Sequence, residues 1–376
     1  MKTLGIVAEY NPFHNGHKYH IEKSKEISKC TNVVCVMSGS FVQRGEFAIN
    51  DKWERAKSAL LNGADLVLEL PTYYVLQSAK NFAYGAVNLL NSLGVVDYIS
   101  FGSESESIDD LKKVASVIDD SNEKYNSFFK KYINEGFSYP AARNMALSEY
   151  GFNELTPNDL LGIYYLSALS KLNSNIIPLN ITRYKTLHNS CEQNDGYATA
   201  SYIRNMIKNN DDVKDFVPKT DNLAENFFIE NISDYVLGFL RFSNYLDDLI
   251  GYEEGLSLYI KDCAKKSHSL NEFYEISITK RYTKSRIKRC VLSALIGLKT
   301  GKKLDYIRVL GFNKNGAKLL KEIKKKTNLP IVVKTADFRP DKDSMFGYDV
   351  LSTDLAYFSS KNKNIGMDFK TSPIVL

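Results

Sequence analysis

Two histidines three residues apart, His14 and His17, carry the strongest chemical signal in the sequence. They belong to the segment NPFHNGH, residues 11–17, which follows a short apolar run and opens a helical pattern. Gly16 has no side chain, so a ligand can approach the backbone closely. The free N–H groups and the dipole of a helix N-terminus attract phosphate. Two imidazoles held there supply donors for the charge that builds when the α-phosphate of a nucleotide is attacked.

A metal site is the rival interpretation of this segment, because His20 extends it to a His-x-x-His-x-x-His run. Residues three apart drift around an α-helix, so His14 and His20 are not expected to share a face. His14 also lies in the predicted loop, and no Asp or Glu lies within the run. We therefore predict phosphate binding and no metal held by the protein, with a purely structural loop as the remaining alternative.

Four apolar segments are expected to position this loop. Residues 3–9, 32–37, 66–70 and 98–101 are short, apolar and separated by helical patterns. This arrangement is typical of buried strands in a parallel sheet with helices on both faces. Ligands bind at the carboxyl ends of the strands in such sheets. The sequence therefore predicts a Rossmann-like α/β fold whose site is formed by the loops after the first, second and fourth strands.

A mostly helical region follows this predicted nucleotide-binding domain. We place the first domain at residues 1–215 and the second at residues 216–376. In the second, residues 306–311, 317–326 and 331–334 fit a strand–helix–strand pattern.

Positive charge is concentrated in the second predicted domain. The formal net charge of the chain is +5, yet residues 280–334 hold 17 Lys and Arg against two acidic residues. This asymmetry favours a polyanionic partner. A solvated helix face is the alternative for the lysines at the end of this stretch, which are Lys318, Lys321, Lys324, Lys325 and Lys326.

The composition argues against several other classes of protein. No apolar run approaches the roughly 18 residues that span a bilayer, and the N-terminal segment does not fit a signal peptide. The five cysteines are an odd number without Cys-x-x-Cys spacing, which argues against a disulfide framework and a zinc site. We expect a cytoplasmic protein that does not contact membranes.

Several longer segments match one known family. They are GIVAEYNPFHNGH at residues 5–17, MSGSFVQRGE at 37–46, ELP at 69–71, FGSE at 101–104 and KRYT at 280–283. The histidine segment resembles the signature of the nucleotidylyltransferase and class I aminoacyl-tRNA synthetase superfamily. Together the segments resemble the tRNA(Met) cytidine acetate ligase family, from the first residues to the basic segment.

This resemblance implies an ATP-dependent tRNA-modifying ligase. ATP and acetate are expected to form acetyl-adenylate and diphosphate, after which the acetyl group passes to N4 of the wobble cytidine of elongator tRNA(Met). The products are N4-acetylcytidine, AMP and diphosphate. Mg²⁺ is expected because a cation usually offsets the triphosphate charge, and no tightly bound cofactor is expected. Two alternatives stay open, namely a nucleotidylyltransferase acting on a small phosphorylated metabolite and an RNA-binding protein with an inactive site.

The resemblance also assigns an ATP-binding stretch, in which His14 and His17 are the catalytic residues. Three later positions, Gly102, Asn158 and Arg183, are further ATP contacts. Each also has a plainer interpretation, as a turn glycine, a helix N-cap and a surface arginine. The stretch consists of Val7, Ala8, Glu9, Tyr10, Asn11, Pro12, Phe13, His14, Asn15, Gly16, His17, Lys18, Tyr19 and His20.

Three residues are candidate contacts for phosphate or acetate. The segment ASYIR, residues 200–204, resembles an element whose hydroxyl and arginine bind triphosphate in related transferases, which makes Ser201 and Arg204 candidates. An alanine and a tyrosine depart from that pattern. Arg44, in the loop after the second strand, could meet the acetate carboxylate or a phosphate, with an exposed loop arginine as the alternative.

The densest part of the basic segment is predicted to contact RNA. Lys and Arg bind phosphates without reading the base sequence, and an interleaved tyrosine can stack on an unpaired base. The predicted RNA-contacting residues are Lys280, Arg281, Tyr282, Lys284, Arg286, Lys288 and Arg289.

Overall fold

One large sheet forms the centre of the molecule. The computed structural model describes residues 2–182, 196–218, 226–244, 246–338, 340–341 and 343–376. The strands are β1 Thr3–Ala8, β2 Asn32–Ser38, β3 Phe41–Val42, β4 Glu46–Phe47, β5 Leu66–Leu70, β6 Tyr98–Ser103, β7 Ile177–Thr182, β8 Ile307–Phe312, β9 Ile331–Val332 and β10 Ile374–Val375.

β1 lies near the middle of this sheet. In the described part of the chain the strand order is β10-β8-β5-β2-β1-β6-β7, with β9 beside β8, and β3 pairs with β4 in a separate hairpin. The strands β5, β2, β1, β6 and β7 run parallel. The carboxyl ends of β2, β1 and β6 therefore meet at one edge, and the predicted α/β fold is confirmed.

Helices cover the sheet and form most of the C-terminal half. None of those described is long and apolar enough to cross a membrane. Short 3-10 helices occupy Ile229–Ile232 and Thr335–Asp337. The α-helices are α1 Asn15–Ser28, α2 Lys52–Leu61, α3 Thr72–Val75, α4 Ala79–Ser92, α5 Ile108–Val117, α6 Glu123–Asn134, α7 Tyr139–Ser148, α8 Pro157–Lys171, α9 Ala200–Lys208, α10 Ser233–Phe242, α11 Leu256–Lys266, α12 Leu270–Ser277, α13 Lys284–Ile296, α14 Lys314–Lys326, α15 Met345–Phe358 and α16 Met367–Lys370.

The C-terminal half also contributes strands to the sheet. β8, α14 and β9 form the predicted strand–helix–strand unit. β8 pairs antiparallel with β5, which places Arg308 opposite Glu69. The sheet therefore contains strands from both sides of the predicted boundary at residue 216, and the division into two domains stays a prediction.

A buried ionic cluster joins these two parts of the chain. The Lys52 ammonium on α2 lies 2.9 Å from the Glu69 carboxylate and 3.0 Å from Asp368. Arg308 on β8 lies 3.2 Å from Asp368. These four residues are at most 2% exposed. Removing one partner from such a buried set costs roughly 3–5 kcal/mol, because it leaves an uncompensated charge, so the cluster fixes the C-terminal segment to the sheet.

Asp349 lies beside this cluster and has a perturbed pKa. Its carboxyl group accepts a hydrogen bond from the backbone N–H of Thr72 at 2.7 Å and is hydrogen-bonded to the Tyr306 hydroxyl. Burial and the nearby Glu69 charge raise the pKa of Asp349 from 3.8 to about 8. Between these values the folded protein holds a proton that the unfolded chain has lost. Raising the pH through this window therefore destabilises the fold.

We expect the Asp349→Asn variant to lose less stability than the wild type when the pH is raised from 5 to 8, because asparagine does not titrate. Urea unfolding at both pH values measures the difference for each protein. Equal losses in the two proteins would show that Asp349 does not carry this pH dependence.

Candidate active site

His14 and His17 cap the N-terminus of α1 reciprocally. His14 is the N-cap residue, and its Nδ1 accepts a hydrogen bond from the backbone N–H of Gly16 at 3.1 Å. The Nδ1 of His17 accepts from the backbone N–H of His14 at 3.2 Å. The two rings stack with their centroids 3.7 Å apart. Two imidazoles thus replace the side chains of an ordinary capping box, at the carboxyl end of β1.

These hydrogen bonds decide which ring nitrogen carries the proton. A neutral imidazole whose Nδ1 accepts a hydrogen bond carries its proton on Nε2. Each ring therefore presents an Nε2–H donor. Gly16 permits this arrangement, since a Cβ atom there would lie 2.9 Å from Cε1 of His14. Two fixed donors at a helix N-terminus are suited to stabilising the oxygens of a phosphate.

Aromatic residues hold the inner side of the histidine pair. His17 contacts Tyr10 edge-on, with ring centroids 4.9 Å apart, and Phe13 at 5.6 Å. Tyr10 and Phe13 are buried, and the Tyr10 hydroxyl lies 3.3 Å from the sulfur of Cys35. This packing restricts the His17 ring to one orientation. A hydrogen-bond donor that is already in position stabilises a transition state without having to reorganise.

His20 points to another part of the fold. Its Nε2 lies 3.0 Å from the Ser100 hydroxyl on β6, and that hydroxyl lies 2.7 Å from the Ser24 hydroxyl on α1. The Nδ1 atoms of His14 and His17 accept hydrogen bonds from backbone N–H groups, whereas the His20 ring is directed to Ser100. The three histidines therefore do not offer one common set of nitrogen atoms to a metal ion. The described residues contain no group of three His, Cys, Asp or Glu side chains that could hold a metal ion.

Arg204 reaches this loop from α9. Its Nη1 donates to the backbone carbonyl of Asn11 at 2.8 Å, and its Nη2 donates to the Ser201 hydroxyl at 3.1 Å. Burial lowers the pKa of the guanidinium, whereas Glu46 and Glu9 oppose that shift. The structure thus brings both residues predicted from the ASYIR segment to the edge that carries the histidine pair.

Asn15 connects α1 to the chain segments on both sides of α9. Its amide donates to the carbonyl oxygens of Gly196 and Asp215 at 2.9 and 3.0 Å. Its backbone N–H donates to the carbonyl of Phe216 at 2.9 Å. Lys18, further along α1, is exposed. Asn15 therefore fixes the position of α9, and with it Arg204, relative to α1.

Glu9 connects the end of β1 to the β3–β4 hairpin. Its carboxylate accepts a hydrogen bond from the backbone N–H of Gln43 at 2.7 Å. Burial raises the pKa of Glu9, and the positive charges of Arg204 and Arg44 oppose this shift. Arg44 is exposed at the tip of the hairpin. Two of the three candidate contacts, Arg44 and Arg204, therefore lie near one acidic side chain, and Ser201 is bonded to Arg204.

Arg55 is a residue of this region that the sequence analysis missed. It is fully buried on α2, and its guanidinium donates hydrogen bonds to the backbone carbonyls of Glu9 at 2.6 Å, Ser38 at 3.1 Å and Asn50 at 3.2 Å, and to that of Gly39. It thereby joins the ends of β1 and β2. One signal was available, because Arg55 is next to Ala56 and at helical spacing with Ala59, two small apolar residues that face the core.

A family model described as HIGH Nucleotidyl Transferase matches residues 1–369. The tRNA(Met) cytidine acetate ligase of Clostridium novyi is 40% identical over 407 aligned residues that cover 100% of both chains. The ligase of the same name from Caldanaerobacter subterraneus is 41% identical, with 98% of each chain covered.

The chain belongs to the tRNA(Met) cytidine acetate ligase family.

Solved structures agree with this membership in the ligase family. The crystal structure of Thermotoga maritima TmcAL bound with alpha-thio ATP has a TM-score of 0.90 and 34% identity, and the match covers 100% of both chains. The apo form of the same protein has a TM-score of 0.92. The resemblance found in the sequence motifs is therefore confirmed over the whole length of the chain.

Two of the ATP-binding positions expected from the ligase family lie within β6 and, in the sequence, directly after β7. Gly102 lies near the carboxyl end of β6, opposite Ile181 of β7. Arg183 lies outside the described residues, one position beyond the last residue of β7. Gly102 is thus at the same edge of the sheet as the histidine pair.

Asn158 lies in the first turn of α8, but it is not the N-cap. Thr156 is the N-cap, and its hydroxyl accepts from the backbone N–H of Asp159 at 3.1 Å. The Asn158 amide instead donates to the Glu104 carboxylate at 2.6 Å. The N-cap interpretation of Asn158 is therefore wrong, because the cap position is one residue before the proline that begins α8.

The basic helix α13 packs on the β3–β4 hairpin. Lys288 lies 2.5 Å from the Glu46 carboxylate, and the Lys288 charge overcomes burial and lowers the pKa of Glu46. Arg289 donates to the backbone carbonyl of Gln43 at 3.2 Å. Two of the residues predicted to contact RNA therefore hold the β3–β4 hairpin in place.

The rest of the predicted RNA-contacting segment divides into paired and exposed residues. Glu253 lies 2.9 Å from both Arg281 and Arg286 and accepts a hydrogen bond from the Tyr282 hydroxyl at 3.0 Å. By contrast, Lys280 and Lys284 are exposed, and their ammonium groups have no ion pair with any residue that the structure describes. Positive charge available to a ligand is thus concentrated at Lys280 and Lys284.

Proposed function

We propose that this chain is an ATP-dependent ligase that acetylates N4 of the wobble cytidine of elongator tRNA(Met), with free acetate as the acetyl source. The observation that carries the proposal is the pair of imidazoles at the start of α1, which presents two Nε2–H donors at the carboxyl end of β1. Relatives named for this activity support it, as does the ATP analogue bound by the Thermotoga maritima relative.

In the first step, a carboxylate oxygen of acetate attacks the α-phosphorus of ATP. The bond to the diphosphate breaks, so acetyl-adenylate and diphosphate form. Negative charge grows on the α-phosphate oxygens and on the leaving group. His14 and His17 donate to these oxygens from Nε2–H, and Arg204 adds a positive charge beside the same loop. Acetate is ionised at neutral pH, so this step needs no general base.

In the second step, the cytidine N4 amine attacks the acetyl carbonyl carbon. The bond between that carbon and the bridging phosphate oxygen breaks and AMP leaves. The proton that the nitrogen loses passes to solvent water or to the departing phosphate. The RNA must therefore reach the edge of the sheet where the adenylate forms. We propose that residues 1–215 form the adenylating part, which includes Arg183, Gly102 and Asn158 as nucleotide contacts, and that residues 216–376 supply the RNA-binding surface.

Magnesium fits this scheme as a companion of ATP. Mg²⁺ usually keeps several waters and is held by substrate phosphates together with one or two carboxylates. Glu9 supplies a carboxylate at this edge of the sheet, next to the loop that holds the histidine pair. When bound with ATP, the ion supplies charge that offsets the β- and γ-phosphates. The protein residues then need to stabilise mainly the charge that develops at the α-phosphate.

Labelled acetate provides the test of the whole proposal. The protein is incubated with elongator tRNA(Met), ATP and ¹³C-acetate, and the tRNA nucleosides are analysed by mass spectrometry. We expect labelled N4-acetylcytidine, and none without ATP. A product in which the nucleotide stays joined to a phosphorylated metabolite, without label in the tRNA, would favour the nucleotidylyltransferase alternative.

Reversing the charge of the two exposed lysines is expected to weaken RNA binding. The double variant Lys280→Glu, Lys284→Glu removes two phosphate contacts and adds two negative charges. We expect the Kd for tRNA to rise by at least about tenfold and the slope of log Kd against log salt to fall by about two. Fluorescence anisotropy over a series of salt concentrations measures both quantities.

The lysines of α14 provide a charge-matched control. The N-cap of α14, Asn313, hydrogen-bonds Asp65 just before β5, and Lys326 at its end donates to the carbonyl of Gly94 before β6. Both contacts lie at the amino edge of the sheet, away from the proposed site. Lys321→Glu, Lys324→Glu is therefore expected to retain tRNA affinity. If both double variants lost tRNA affinity equally, Lys280 and Lys284 would not be the RNA contacts.

A further inference from the structure

We propose that Arg44 binds a phosphate of the RNA next to the nucleotide that is acetylated. The inference rests on the proposed function and adds the tip of the β3–β4 hairpin to the RNA-binding surface. Its basis is the position of the hairpin between the adenylating loop and α13, together with the charge balance of the cations around it.

The base of the hairpin is rigidly packed. Phe41 pairs with Phe47 across the two strands, and their rings stack with centroids 5.3 Å apart. Phe41 and Val42 are 1% exposed. A hydrogen bond of 2.9 Å from the backbone N–H of Gly45 to the carbonyl of Val42 closes the turn. The backbone of Arg44 is therefore held in a defined place.

One side of the hairpin contacts the adenylating loop, and the other side contacts the basic helix. The backbone N–H of Gln43 donates to Glu9, while its carbonyl accepts from Arg289 on α13. Gly45 has a φ of +78°, and a Cβ atom there would lie 2.5 Å from the backbone nitrogen of Arg289. An RNA chain that lies on α13 and inserts a nucleotide beside Glu9 must therefore pass the hairpin tip.

Arg44 carries a positive charge at this tip that influences the Glu9 and Glu46 carboxylates without forming an ion pair with either. It is exposed, and its side chain makes no hydrogen bond or ion pair with the residues that the structure describes. Its neighbours differ, because Lys288 is paired with Glu46 and Arg204 is bonded to Asn11 and Ser201. An exposed guanidinium without an ion pair is suited to a backbone phosphate, which Arg can bind in bidentate fashion.

Exposure favours RNA over ATP as the source of that phosphate. The adenylating loop has its own donors in the His14 and His17 imidazoles, and beside it lies Arg204, which is half-buried, unlike the exposed Arg44. Arg44 lies at the exposed tip of the hairpin, whose other side contacts α13 through Arg289. The contact therefore contributes to RNA affinity and positions the acceptor nucleotide, while ATP binding proceeds without it.

Arg44→Ala separates these two sources of phosphate. We expect the KM for tRNA in the complete reaction to rise by about tenfold, and the salt slope of tRNA binding to fall by about one. The KM for ATP is expected to stay within about twofold of the wild-type value. Arg44→Lys keeps the charge and is expected to restore the salt slope but only part of the affinity. Lys321→Ala, at the amino edge of the sheet, is the control.

Two outcomes would overturn the assignment of Arg44. In the first, the KM for ATP or acetate rises and the KM for tRNA does not, which makes Arg44 a contact of the first step. In the second, Arg44→Ala behaves like Lys321→Ala in every measurement. Failure of the proposed function looks different, because the wild-type protein then forms no labelled N4-acetylcytidine and no comparison of KM values arises.

Discussion

Replacing His17 with alanine is expected to slow acetate-dependent release of diphosphate from ATP by about 100-fold or more. The variant loses an Nε2–H donor that is held in place by the His14 backbone and by Tyr10. Loss of one fixed donor of this kind typically costs about 10²–10³ in kcat. The KM for ATP is expected to change less, because the stabilised charge develops mainly in the transition state.

His268→Ala is the matched control for this experiment. His268 is exposed between α11 and α12, far along the chain from the proposed site. The His268→Ala variant is expected to release diphosphate at the wild-type rate. Because His17 also takes part in capping α1, the melting temperatures of both variants are compared, and a loss of about 1 kcal/mol is expected from the broken cap. A folded His17→Ala protein with the wild-type rate would contradict the assigned role of His17.

Replacing Arg204 with alanine is expected to raise the KM for ATP by about tenfold or more. The substitution removes the donor to the Asn11 carbonyl, and Asn11 in turn accepts from the backbone N–H of Ile49 at 2.7 Å through its side chain. It also removes a positive charge beside the proposed triphosphate site. A charge-assisted hydrogen bond contributes roughly 1.5–3 kcal/mol, which is the basis for this magnitude. Initial rates at varied ATP concentration measure it.

Lys208→Ala controls for loss of a cation on the same helix. Lys208 lies at the end of α9, where its exposed ammonium pairs with Glu230 at 3.0 Å. An exposed ion pair of this kind contributes little to stability. The Lys208→Ala variant is therefore expected to keep its fold and the wild-type KM for ATP. The KM for ATP of Arg204→Lys is expected to lie between those of the wild type and Arg204→Ala, because lysine keeps the positive charge but lacks the planar guanidinium group. A wild-type KM in Arg204→Ala would remove Arg204 from the site.

Local patterns were sufficient to predict the half of the sheet that carries the site. β1, β2, β5 and β6 are short apolar segments between helices, and this pattern specifies parallel strands covered on both faces. The start of α2 is equally local, since the carboxylate of its N-cap, Asp51, accepts from the backbone N–H of Trp53 and Glu54. Each of these features depends on residues that are close together in the sequence.

The pairing of β8 with β5 could not be predicted in the same way. It joins residues about 240 positions apart, and its antiparallel direction departs from the rest of the central sheet. The buried ionic cluster around Lys52 depends on this pairing, because Arg308 is positioned by β8 and Asp368 by α16. A lysine or arginine in the sequence gives no indication of a partner that only the fold brings near.

The basic segment illustrates the same difficulty on the surface. Its charges are evident from the sequence, but their partners are not. Glu253 neutralises part of the charge of Arg281 and Arg286, and Glu46 neutralises that of Lys288. The sequence therefore predicts a positive region, whereas the structure shows which of its described cations are paired with carboxylates. The same holds for Arg55, whose acceptors are backbone carbonyls that no sequence pattern marks.

Oxygen-18 transfer tests the central claim most directly, namely that acetate attacks the α-phosphorus of ATP at the loop of His14 and His17. The reaction is run with acetate carrying ¹⁸O in both carboxylate positions, and the phosphorus-containing products are analysed by mass spectrometry. The bridging oxygen of acetyl-adenylate stays with phosphorus when the amine attacks, so the account predicts AMP with one ¹⁸O atom and unlabelled diphosphate. Label in the γ-phosphate with release of ADP, or AMP without label, would contradict it.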